Sequence, residues 1–380
     1  MIAALRKIFN IKSGEAPKVL YISLYLFSAT GALILLRSLI NALLLQVCEV
    51  SALPYVFTAQ AIFFVIVSVG YTAFISKASK RVEVNVFLTL FLLILIASRF
   101  FLAFHYKWFV FVLYVIIETF SVILLIQCWM LISDCFDSRQ GKRLYPIVGV
   151  GSTIGAISGG FFAKGFAKTI GTENLIFCTL PLIGMTLFLG QKIISNYYEQ
   201  APSSSHENQG ENLITRLGNG FVEIFKDNLL LILMIFVVCA RIGSTLIDFQ
   251  FKASVKAAYS MDEITAFMGA FYAFSNFITF FIQLFVANRF LMIFGFAMGL
   301  AVMPIAVFFG TTVFLLIPIF WFIVGTKFFE DVARYSIGKS SVELAYLPLP
   351  QQVKQRAKVT FDGMIVPVSV IIASCVLIFT

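Results

Sequence analysis

The chain has 380 residues, 60% of them hydrophobic and only 12% charged, with a formal net charge of +9 and a mean hydropathy of +0.96. A soluble domain is about one quarter charged, so this composition cannot cover a water-facing surface and excludes a soluble enzyme, a disordered chain and a disulfide scaffold. Most of the chain is built for lipid.

Crossing about 30 Å of hydrocarbon takes roughly 20 apolar residues. Reading for such runs predicts eleven spans: 19–45, 54–76, 84–104, 108–133, 146–170, 174–195, 228–251, 264–287, 290–310, 312–335 and 363–380. The first run is too long for a signal peptide and lacks a small-residue cleavage site, so it reads as a retained helix. Span one carries Arg37 at depth. Span three carries Arg99 near its end, and span four carries Glu118 with Gln127 beyond it. Span five carries Gly151, Gly155 and Gly159, one face of small residues that lets two helix backbones approach closely. Span seven carries Arg241 and then Asp248 and Lys252, four residues apart on one face.

An ionisable side chain at depth costs several kcal/mol when it faces lipid, which makes each of these a functional candidate. Arg37, Arg241 and Lys252 are read as anion-binding cations, since guanidinium and ammonium groups suit phosphate or carboxylate. Glu118, Asp248 and Arg99 are read as gating or ion-pair partners. No metal site, cofactor or catalytic residue is predicted. The six cysteines form no CxxC pair, the two histidines (His105 and His206) stand apart in loops, and no HExxH or GxSxG occurs. Gly338-Lys339-Ser340 lacks the upstream glycine of a phosphate loop, because position 333 is alanine.

The loop charges give an orientation. Twenty of the 28 Lys and Arg residues fall in one alternate set of loops, counting Lys327 and Arg334 at the end of span ten, and five fall in the other set. This bias predicts a cytoplasmic N-terminus and accounts for the +9 balance as topology, with no nucleic-acid partner. The polar stretch 197–227 then reads as a flexible cytoplasmic linker between a six-span bundle, 1–196, and a five-span bundle, 228–380. Basic segments before the fifth span of each half (Lys142-Arg143, Arg356-Ala357-Lys358) form a weak internal repeat. Two bundles joined in this way resemble the major facilitator type of carrier, an all-α polytopic fold working by alternating access. Six plus six predicts a twelfth span, and the chain ends inside the apolar run 365–380; the expectation is that the natural sequence continues.

Three segments together resemble the nucleotide transporter (ATP/ADP translocase) family of plastids and intracellular bacteria. Asp248-Phe249-Gln250-Phe251-Lys252 stands where that family has Asn-Leu-Val-Glu followed by Trp-Lys, and Phe267-Met268-Gly269-Ala270-Phe271 resembles its continuation. Lys142-Arg143-Leu144-Tyr145-Pro146 resembles its Lys-Arg-Phe-Tyr-Pro, and Leu36-Arg37 its Leu-Arg. After that Leu-Arg the family has Asp-Thr-Lys-Asp, where this chain has Ser38, Leu39, Ile40 and Asn41. The resemblance implies a carrier in a bacterial inner membrane that exchanges nucleotides or related phosphorylated anions. The rival readings are a carrier of another organic anion or lipid, and a non-transporting scaffold of the same fold.

Overall fold

The computed structural model describes residues 12, 15–75, 78–102, 106–136, 138–198, 221–317, 319–346 and 349–379. The linker core 199–220, His105, His206 and Thr380 lie outside the described residues. Within them the chain is helical, with no strand. Its helices are α1 (Glu15–Val47), α2 (Leu53–Ile75), α3 (Lys80–Leu102), α4 (Lys107–Cys135), α5 (Ser138–Ile170), α6 (Leu175–Tyr197) and α7 (Asn228–Ala258). They continue with α8 (Met261–Phe281, extended by a π-helical turn Ile282–Ala287) and α9 (Asn288–Leu316). In α10, Phe320–Ala333 passes through a π-helical turn Arg334–Gly338 into Lys339–Ala345. In α11, Gln351–Thr360 passes through a π-helical turn Phe361–Ile365 into Val366–Phe379.

Ten of these stretches are long and apolar enough to cross a membrane, and α10 is the exception. Four ionisable residues between Lys327 and Arg334 make it too polar for that criterion. The sequence reading placed its start at 312, which the structure corrects. Helix α9 runs on to Leu316, and Ile317 then leaves the helical region at φ −135°, ψ 87°. Residue 318 is proline, whose ring disfavours helical geometry in the residue before it. The same correction moves Lys327 and Arg334 out of the loop tally and into helix. The basic segment 139–143 is likewise the first turns of α5, and 354–358 lies in the first part of α11.

Packing groups the chain into two compact units: Met1–Val47, Ala73–Glu207 and Met261–Phe274 form the first, and Cys48–Thr72, Asn208–Ser260 and Ser275–Thr380 the second. The grouping follows packing and not chain order, since most of α2 belongs to the second unit and the start of α8 to the first.

In the first unit α1 is the axis, packed chiefly on α5 and also on α6 and α4. Glycine spacing produces the α1–α5 contact. A Cβ at Gly151 would stand 2.4 Å from the Ser23 carbonyl oxygen, one at Gly155 2.3 Å from that of Phe27, and one at Gly159 2.3 Å from that of Gly31. Two rows with the same four-residue step therefore lie backbone to backbone, where only hydrogen fits. Thr30 Oγ1 adds a bond to the Ser152 carbonyl at 2.7 Å across the seam.

In the second unit α7 begins on a cap, with Asp227 Oδ1 accepting from Leu229 N at 2.8 Å and Leu230 N at 3.4 Å. It packs against α9, α10 and α11. Gly295 interrupts α9 at φ 75°, ψ 173°, a conformation open to glycine at little cost.

The glycine seam gives a paired prediction. Gly155→Ala should lower stability by about 1–3 kcal/mol, because the added methyl meets backbone that cannot give way. Gly165→Ala on the same helix meets nothing within 4 Å and should be neutral or slightly stabilising. Thermal unfolding of the purified protein in detergent reads both.

Candidate functional site

The densest group of buried charge lies in the second unit, where two helix faces meet. Ser244, Asp248 and Lys252 recur every four residues along α7, and Lys327, Glu330, Asp331 and Arg334 recur at three- and four-residue steps along α10. Each helix thus presents one polar stripe. Lys327 Nζ is the hub, 2.9 Å from Glu330 Oε2, 3.2 Å from Asp331 Oδ1 and 3.4 Å from Asp248 Oδ1. The other oxygen of Asp248 pairs with Lys252 Nζ at 2.9 Å. Glu330 Oε1 pairs with Arg334, whose guanidinium also donates to Ser244 Oγ. Lys252 Nζ in turn sits 4.8 Å from the ring centre of Phe57 on α2.

Three cations thus meet three carboxylates. Lys252, Lys327, Glu330 and Asp331 are buried, and Glu330 is 0% exposed. An isolated buried charge of this kind costs several kcal/mol, and only local compensation makes the arrangement tolerable.

The first unit holds a smaller and more open group. Arg37 Nε is 3.8 Å from Glu118 Oε1, and its guanidinium lies 5.2 Å from the ring centre of Tyr272 on α8. Between Tyr21 and Leu45, Arg37 is the single exposed residue, on a helix otherwise buried or nearly so. Its side chain is 44% exposed, beside Glu118 and the Tyr272 ring. Asn41 Nδ2, one turn on, donates to the Arg37 carbonyl at 2.7 Å, and its Oδ1 is buried without a hydrogen-bond partner.

The remaining sequence candidates lie apart from these groups. Arg99 ends α3 in a half-exposed tie, 3.7 Å from Glu173 Oε2 and donating to Asn174 Oδ1 at 3.3 and 3.0 Å. Arg241 is half-buried on α7, and no described carboxylate pairs with it. Gln127 donates to the Glu83 carbonyl at 3.3 Å. Gly338-Lys339-Ser340 is helical, so its amides form no loop around a phosphate.

Sequence reasoning missed Lys327, Glu330, Asp331 and Arg334, two of which it had spent on loop charge. The signal was present as Lys-x-x-Glu-Asp-x-x-Arg at i, i+3, i+4 and i+7, which puts both signs on one helical face.

A family model described as TLC ATP/ADP transporter matches residues 94–329. The chain is 22% identical over 288 residues to ADP,ATP carrier protein 1 of Chlamydia pneumoniae, covering 66% of this chain and 56% of that protein. It is 21% identical over 302 residues to ADP,ATP carrier protein 1 of Chlamydia trachomatis serovar D, covering 69% and 57%. The chain therefore matches little more than half the length of these relatives. Among solved structures it is similar to a point mutant of the nucleoside transporter NupG, with a TM-score of 0.73, 12% identity and coverage of 94% of this chain and 90% of that one. It is also similar to the POT family transporter PepTSo, with a TM-score of 0.61, 12% identity and coverage of 94% and 89%. These likenesses show the fold, an all-α major facilitator-type membrane architecture.

The two kinds of ion pair should respond differently to neutralisation. Glu330→Gln leaves Lys327 and Arg334 under-compensated in a buried site and should cost about 3–5 kcal/mol. Glu173→Gln at the half-exposed Arg99 tie should cost less than about 1 kcal/mol. Denaturation midpoints of the two variants against the parent protein test the contrast.

Proposed function

The chain belongs to the TLC ATP/ADP transporter family, and from that membership we propose that it carries nucleotides or related phosphorylated anions across a membrane by alternating access. Arg37 supports the reading most directly. Its side chain is 44% exposed on a helix that is otherwise packed, beside the Tyr272 ring and the Glu118 carboxylate. A guanidinium so placed offers a fork of N–H donors to phosphate oxygens, and the Tyr272 ring offers a face to a base or sugar. Lys252 and Arg241 are the further anion-binding cations in this reading. Glu118 and Asp248 are the counter-ions that release them, and Arg99 holds an ion pair at the end of α3. As a carrier the protein does no covalent chemistry. The same reading has it in a bacterial inner membrane with a cytoplasmic N-terminus, on the strength of the loop-charge bias. Its two moving bundles are 1–196 and 228–380, joined by 197–227.

One observation favours a second substrate. Ser38, Leu39, Ile40 and Asn41, which stand in place of the family's charged Asp-Thr-Lys-Asp, are all buried. A carrier with fewer charges at this point suits an anion of lower charge than a nucleoside triphosphate.

Uptake of radiolabelled ATP and ADP by cells expressing the protein, with competition by phosphate and organic anions, tests both readings. Hydrogen bonds to a charged group contribute about 1.5–3 kcal/mol, so Arg37→Gln should weaken half-saturation by about one to two orders of magnitude. Arg37→Lys should recover part of that loss by keeping the charge without the fork. Wild-type saturation kinetics in Arg37→Gln would remove Arg37 from the substrate site.

A further inference from the structure

The ionic seam of the second unit does not end in ordinary helix. Followed outward it alternates in sign: Lys252 to Asp248 at 2.9 Å, Asp248 to Lys327 at 3.4 Å, Lys327 to Glu330 at 2.9 Å, and Glu330 to Arg334, which returns to Ser244 on the helix where the series began. Arg334 is the first residue of the π-helical turn Arg334–Gly338. The carbonyl of the next residue, Tyr335, accepts a hydrogen bond from Gln283 Nε2 at 2.6 Å. Gln283 stands in another π-helical turn, Ile282–Ala287. Two π-turns on neighbouring helices are therefore fastened to each other at the far end of a chain of alternating charges. A π-turn holds one residue more than the surrounding α-helix and is found disproportionately at functional positions. Shifting it along the helix rotates the residues it passes, which makes it a natural place for a helix to change register.

We propose that Lys327 is a positioning residue that relays anion occupancy at Lys252 to these paired π-turns. The proposal rests on the reading of Lys252 as an anion-binding cation. A phosphate on the Lys252 ammonium competes with Asp248 for its positive charge. The Asp248 carboxylate then leans on Lys327. The Lys327 ammonium has three N–H donors and faces three carboxylates, so a stronger bond to Asp248 weakens its hold on Glu330 and Asp331. Glu330 turns further onto Arg334, the guanidinium moves relative to Ser244, and the π-turn that begins at Arg334 loosens. No bond is made or broken covalently. The relay is a redistribution of hydrogen bonds along one polar seam.

Amide hydrogen exchange of the full chain in lipid nanodiscs, read on peptides covering 327–338 and 282–287, tests the relay with ATP as the probe. ATP should speed exchange across 334–338 in the wild type by about tenfold, within the usual range of coupling between sites. Lys252→Gln, which withdraws the cation from Asp248 as a phosphate would, should raise exchange there with no nucleotide present. Lys327→Met combined with Asp331→Asn removes one charge of each sign and keeps the seam neutral. This double variant should bind labelled ATP within a few-fold of wild type yet lose the exchange response, and Lys327→Arg should keep part of it. A role in stability alone predicts a lower unfolding temperature with the ATP response intact, and that result would overturn the proposal. So would wild-type exchange in Lys252→Gln. If Lys252→Gln speeds exchange while ATP neither binds nor changes exchange in the wild type, the relay stands and the nucleotide reading of the site fails.

Discussion

Lys327 is held by Asp248, Glu330 and Asp331, and much of the second unit can be understood as a consequence of keeping that ammonium compensated. A buried ammonium in a lipid-solvated bundle has no water to fall back on, so its partners must come from the protein and stay within about 4 Å. Two of them lie on its own helix at i+3 and i+4, and the third comes from α7. Once α7 supplies Asp248 it carries Lys252 four residues on, and α10 carries Arg334 one turn past Glu330. The pairing of the two helices is thereby fixed in register and in direction. A slip of one residue would bring charges of the same sign together or leave one of them bare.

The two units meet the cost of packing in different ways. The first relies on absence of side chain: Gly151, Gly155 and Gly159 against Ser23, Phe27 and Gly31 give backbone contact over about two turns, leaving little room for adjustment. The second relies on charge, and all three π-helical turns among the described residues fall within it. Backbone contact at hydrogen-only spacing is rigid, whereas hydrogen-bonded charges can exchange partners at nearly constant energy as long as the sum stays neutral.

Much of this was legible in the chain because lipid imposes simple rules. Composition gave the membrane, run length located ten of the spans though α7 runs on past its predicted end to Ala258 and α11 starts well before 363, and the glycine step gave the face of α5 that lies on α1. The i, i+4 spacing of Asp248 and Lys252 gave their ion pair. Local pattern could not give partners that are distant in sequence, such as Lys327 for Asp248 or Tyr272 for Arg37, because nothing in a single sequence ties one helix face to another. The tenth span failed for a different reason. Its start was set by apolar content, whereas Pro318 sets it physically, and its cations were assigned to a loop because a hydropathy reading takes charge as a sign of water. Here charge is compensated in place.

The central claim is that the charged residue exposed along an otherwise packed α1 is there to meet an anion. Electron cryomicroscopy of the protein in lipid nanodiscs with saturating nucleotide tests it most directly. The account predicts phosphate density within hydrogen-bond reach of the Arg37 guanidinium, with Glu118 turned away from it. Arg37 packed against lipid tails, or still held by Glu118 while the nucleotide sits elsewhere, would contradict it.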